Sequence, residues 1–103
     1  MAGPVSLTLS TDVVPFAIRA ERLEILVVRQ PAGWRLPGGS LGAGENLDTA
    51  ASRHLTEQTG LGEVYLEQLY TFGRPARGVG TLAVAVAYYA LVPTGALAAG
   101  PAA

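Results

Sequence analysis

The chain has 103 residues, a length for one domain rather than two. Half of it is hydrophobic and 15% is charged, which excludes an intrinsically disordered chain. It has no cysteine, which excludes a disulfide scaffold, a thiolate zinc site and a thiol nucleophile, and its net charge of -1 gives no general drive toward nucleic acid or an anionic membrane.

The first ten residues have neither a basic stretch nor a long apolar run, so no signal peptide is expected. The longest apolar stretch, residues 82–92, is too short for a membrane helix of about 20 residues. A soluble cytoplasmic protein is the expectation. Residues 6–19 read as a strand, and Pro15 inside them places it at a sheet edge or breaks it. The chain then turns near Arg22 and Leu23, and residues 23–29 form a short, nearly continuous apolar run suited to a strand buried on both faces. Pro31 and Gly33 mark a loop, and Trp34 either caps the core or stacks on a base.

Residues 38–61 carry the chemistry. Glycines at 38, 39, 42 and 44 form a flexible turn whose amides can approach a phosphate. A helix follows, with Asn46 as its N-cap and Gly60 just past its C-terminus. Leu47, Ala50, Ala51 and Leu55 make an apolar stripe. Arg53, His54, Glu57 and Gln58 fall on the polar face, with Arg53–Glu57 and His54–Gln58 each four apart. Glu45 and Glu57 near a glycine loop suggest a Mg²⁺–phosphate site, because Mg²⁺ takes hard oxygen ligands and shares them with substrate phosphate. Residues 64–72 then read as a strand and residues 73–80 as a loop, where Arg74 and Arg77 either grip phosphate or face solvent. Residues 82–92 alternate large and small side chains, which predicts a strand with a second layer pressed against its small side.

The spacing of Gly39, Glu45, Arg53, Leu55, Glu57, Gly60 and Leu61 resembles the box of the Nudix hydrolases, without a gap. His54 and Gln58 stand where that box has glutamates. The resemblance implies an α/β fold: a mixed sheet with the box helix packed on it, shortened at the C-terminal end. Residues 1–93 would form the domain, and the Ala/Gly-rich residues 94–103 a flexible tail.

The resemblance also implies a pyrophosphohydrolase acting on a nucleoside diphosphate linked to another moiety. Residues 65–77 and 86–93 are similar to the ADP-ribose-directed branch and to Nudix-related transcriptional regulators. Carried over by position, Glu45 and Glu57 hold Mg²⁺ or Mn²⁺ weakly. Glu57, Arg53 and His54 are the catalytic candidates, with Arg53 orienting the cluster. Gly38, Gly39, Arg74 and Arg77 are the substrate-binding candidates. Weakened turnover is expected, since two box carboxylates are absent. The alternatives are a non-catalytic ADP-ribose sensor and a domain with only an assembly role, through a homodimer. The expected partner is a nucleotide-type small molecule, with neither direct nucleic acid nor a membrane.

Overall fold

In the computed structural model, residues 3–62, 64–76 and 80–93 are described. The predicted Arg77 site and the tail at 94–103 lie outside them. The elements are β1 (Ser6–Arg19), β2 (Arg22–Ile25), β3 (Val28–Gln30), β4 (Gly33–Arg35), β5 (Gly38–Ser40), α1 (Leu47–Thr59), β6 (Glu67–Pro75) and β7 (Thr81–Leu91). The main sheet runs β2-β1-β7-β6, with β5 also paired to β1, and β3 and β4 form a separate hairpin. β1 and β7 are parallel and the other pairs antiparallel, so the sheet is mixed as expected.

β1 is central rather than at an edge. Pro15 is tolerated because of where its missing N–H would point. Its carbonyl accepts from the Leu26 N–H on the β2 flank, and the lost donor faces the same flank. That flank is split there, with β5 paired at residues 10–12 and β2 at residues 16–19. The apolar run at 23–29 is two short strands interrupted at residues 26–27, and Leu23 and Ile25 are exposed, not buried on both faces. The β1–β2 turn sits at Ala20 and Glu21, ahead of the predicted Arg22–Leu23 position, and both residues have positive φ (52° and 63°). β6 starts at Glu67 and runs through Arg74 and Pro75, later than predicted at both ends, with Leu69 as the extra residue of a bulge.

α1 has the predicted limits. The Asn46 side chain accepts from the Thr49 N–H at 2.8 Å. Gly60 takes φ 77° and donates to the Thr56 carbonyl at 2.9 Å. Ala51 and Leu55 pack onto Val13, Ala17, Val86, Tyr88, Ala90 and Val92. The helix therefore covers the large-residue side of β7, not the alanine side. Register explains this: Tyr88 lies opposite Val13 and Val86 opposite Thr11, so both strands send their bulk to one face. The Tyr88 hydroxyl also donates to Asp48 at 2.6 Å, tying the start of α1 to the sheet.

On the other face, Ile18, Leu23, Ile25, Tyr70, Phe72 and Leu91 are exposed. Trp34 is also exposed, with the Arg29 guanidinium 5.3 Å from its ring centroid, so it does not cap the core. Among the described residues no helix is long and apolar enough to cross a membrane.

Candidate functional site

The site forms where the β5 backbone meets α1. The predicted glycine turn is a short strand, and its first residues are pressed close. A Cβ on Gly38 would lie 2.3 Å from Asp12 Oδ1, and one on Gly39 would lie 2.8 Å from His54 Cε1. Gly39 also has φ 157°, at the edge of what an L-residue accepts. Close packing against β1 and the His54 ring therefore requires these glycines.

Arg53 gathers both box carboxylates. Its Nε donates to Glu45 Oε2 at 2.6 Å and its Nη2 to Glu45 Oε1 at 2.9 Å. Its Nη1 donates to Glu57 Oε1 at 3.2 Å. Glu45 Oε1 also accepts the Gly42 N–H at 2.6 Å. The hydrogen bond from Arg53, then that from Gly42, hold the Glu45 carboxyl down at about 2. The same pairing raises the Arg53 guanidinium further above its ordinary value.

His54 and Gln58 do not face solvent as their place on a polar helix face predicted. His54 is buried and Gln58 half-buried, both turned toward β5. His54 Nε2 lies 2.7 Å from the Ser40 carbonyl oxygen, which can only accept, so Nε2 carries the proton. Gln58 Nε2 lies 3.3 Å from His54 Nδ1, which accepts from it in that tautomer. Gln58 also holds both polar groups of Gly38: its Oε1 accepts the N–H at 3.0 Å, and its Nε2 donates to the carbonyl at 2.9 Å. The Gly38 amide is thus taken by Gln58 rather than offered to a phosphate.

The residues present fit a resident Mg²⁺ poorly. Both oxygens of Glu45 are engaged, and Glu57, with a side chain 60% exposed, shares the same guanidinium. Among the described residues no three His, Asp or Glu side chains converge on a point.

A cleft of about 1060 Å³ opens on the sheet face away from α1. Ala83 and Ala85 lie beneath it, and Tyr70, Phe72, Arg74, Ser10, Asp12, Arg35 and Ser40 surround it. Tyr70 and Phe72 meet edge to face with centroids 4.9 Å apart. Arg74, a predicted substrate contact, lines this cleft, and Ser40 belongs to both the cleft and the box. Sequence reasoning missed Arg35, Tyr70 and Phe72. The signal for the two aromatics was the period of two that puts residues 70, 72 and 74 on one face of β6.

A model of the NUDIX domain matches residues 9–101. The ADPR responsive transcriptional repressor NtrR of Acinetobacter baylyi is 34% identical over 82% of this chain and 36% of that protein. The NUDIX domain of Shewanella oneidensis NrtR, crystallised with ADP ribose, is 31% identical with a TM-score of 0.68, over 89% of this chain and 62% of that one. Shewanella oneidensis NrtR crystallised with a 27mer DNA is 34% identical with a TM-score of 0.70, over 85% of this chain and 43% of that one. The chain thus spans less than two thirds of the length of each of these relatives.

Proposed function

The chain belongs to the NUDIX family, and we propose that it binds an ADP-ribose-type nucleotide and has lost most of the family's diphosphate hydrolysis. The observation that carries this reading is the convergence of Glu45 and Glu57, the two remaining box carboxylates, on Arg53. A general base works best with a pKa near the operating pH. Glu45, held near 2, is far from it. His54 has both ring nitrogens committed, to Ser40 and to Gln58, so neither is offered to an attacking water.

Binding needs less. The cleft beside β5 supplies aromatic surface for a base at Tyr70 and Phe72, and cationic groups for a diphosphate at Arg74 and Arg35. The relatives named for ADP-ribose support that ligand class. With a net charge of -1 there is no matching electrostatic case for DNA.

Calorimetry with ADP-ribose, with and without Mg²⁺ or Mn²⁺ and followed by product analysis, tests the reading. Saturable heat without product is the expected result. Metal-dependent product formation that disappears in Glu57→Gln would establish an enzyme instead.

A second reading, self-assembly, is favoured by the exposed apolar face of Ile18, Leu23, Ile25, Tyr70, Phe72 and Leu91. Sedimentation across a concentration series, with Leu23→Glu as control, distinguishes a dimer through this face from a monomer.

A further inference from the structure

We propose that the N–H groups of His54 and Gln58 occupy the place of a divalent cation, so that the loop–helix junction of this protein closes without metal. Two carbonyl oxygens of β5, those of Gly38 and Ser40, point at α1 and meet it at positions 58 and 54. With glutamates at both positions, as in the family's box, carbonyl oxygen would face carboxylate oxygen. Such oxygens repel unless a cation lies between them, and hard divalent ions are held by that kind of set. Here each carbonyl instead meets a proton: Ser40 from His54 Nε2 at 2.7 Å, Gly38 from Gln58 Nε2 at 2.9 Å.

The two side chains complete one another. The second Gln58 N–H faces His54 Nδ1 at 3.3 Å, and Gln58 Oε1 accepts the Gly38 N–H at 3.0 Å. Reversing the Gln58 amide would set oxygen against oxygen and N–H against N–H at Gly38, so the backbone fixes its orientation. The imidazole fills the remaining space, packed so closely on Gly39 that a methyl there would overlap it. Both ring nitrogens of His54 and both polar atoms of Gln58 are engaged in this network, and both oxygens of Glu45 are held by Arg53 and Gly42. This deepens the binding reading above, but it is tested on the protein alone, so its failure and that of nucleotide binding are separable.

The test is Mn²⁺ uptake, followed by loss of the paramagnetic signal of the free ion, together with thermal melts in chelator and in excess Mn²⁺. The unaltered protein is expected to leave the free-ion signal unchanged and to melt within about 1 °C under both conditions. The double variant His54→Glu/Gln58→Glu restores the facing oxygens. It is expected to melt lower in chelator, to recover in Mn²⁺, and to bind Mn²⁺ at least tenfold more tightly, because an ion that binds only the folded state stabilises it. If the double variant does not fold even with metal, Gln58→Glu alone is measured, with the same expectation on a smaller scale. Stoichiometric Mn²⁺ uptake by the unaltered protein with a raised melting point would overturn the proposal. So would a folded glutamate variant whose melting ignores metal.

Discussion

Gln58 grips Gly38 by both ends of its side-chain amide, accepting from the N–H at 3.0 Å and donating to the carbonyl at 2.9 Å. This pairing spans twenty residues and joins the box helix to the strand that borders the cleft. Gly38 is buried, so the bonds are shielded from water that could replace them. Gln58→Ala would strand the Gly38 N–H and carbonyl and remove the partner of His54 Nδ1. Each buried unsatisfied group costs about 1–3 kcal/mol, and partial entry of water keeps the total near the low end of their sum, about 2–3 kcal/mol. Urea unfolding should show a lower midpoint at unchanged slope.

The box helix is legible in the sequence because its signals are local. Asn46 and Gly60 act through neighbours within four residues, and the structure places both as caps. The burial of His54 and Gln58 was also written there, though as polar residues they read as surface. At about 100° per residue, positions 54 and 58 fall in the middle of the stripe set by Leu47, Ala50, Ala51 and Leu55. Position outweighed residue type because β5 supplied hydrogen-bond partners, and those partners are long-range.

The central place of β1 is not legible for the same reason. Pro15 is a valid local sign of an edge, but the split between β5 and β2 that accommodates it arises only from pairing. The cleft, too, requires knowing that β7 turns Ala83 and Ala85 away from the helix and that Arg35, far off in sequence, lines the same cleft as Arg74.

Acid stability should report the Glu45–Arg53 pair. The Glu45 carboxyl is lowered from 4.5 to about 2, first by its hydrogen bond to Arg53. Between these values the unfolded chain binds more protons than the folded one, so stability falls as pH falls. The contribution is complete above about pH 4.5 and lost as pH drops through about 2. Glu67, lowered mainly by its hydrogen bond from Tyr89, adds a slope of the same sign. Unfolding free energies measured between pH 5 and 2 should therefore decline less steeply in Glu45→Gln, the Glu67 share remaining. An unchanged slope in that variant would remove the pair from the account.

The β1–β2 turn offers a gain in stability. Arg19 pairs with Arg22, leaving a two-residue loop in which Ala20 and Glu21 both adopt positive φ. Such loops favour Asn-Gly, because the left-handed region costs an ordinary L-residue roughly 1–2 kcal/mol. Ala20→Asn/Glu21→Gly should therefore stabilise the chain by about 1–2 kcal/mol, less the greater freedom that glycine gives the unfolded state. The flanking Arg19–Glu24 pair, 3.0 Å apart, lies outside the turn and should persist. A higher denaturation midpoint with unaltered ADP-ribose binding is the expected result, since the turn does not line the cleft.

The cleft and the box can be separated by mutation. Arg74 and Phe72 line the cleft from β6, whereas Glu57 lies on the outer, solvent-facing part of α1. If ADP-ribose sits in the cleft, Arg74→Ala removes a charge-assisted contact to its diphosphate, worth about 1.5–3 kcal/mol or roughly 10- to 100-fold in Kd. Phe72→Ala removes aromatic surface and should weaken binding about tenfold, through loss of stacking of about 1–3 kcal/mol per base. Glu57→Gln should leave affinity within about twofold, since its carboxylate contacts only Arg53 among the described hydrogen bonds. Calorimetric titration of the three variants gives this ordering directly. The reverse order, with Glu57 decisive and Arg74 silent, would move the ligand from the cleft to the helix. All three substitutions are at exposed residues, so circular dichroism should show the native fold in each, and the affinities can be compared without correction for stability.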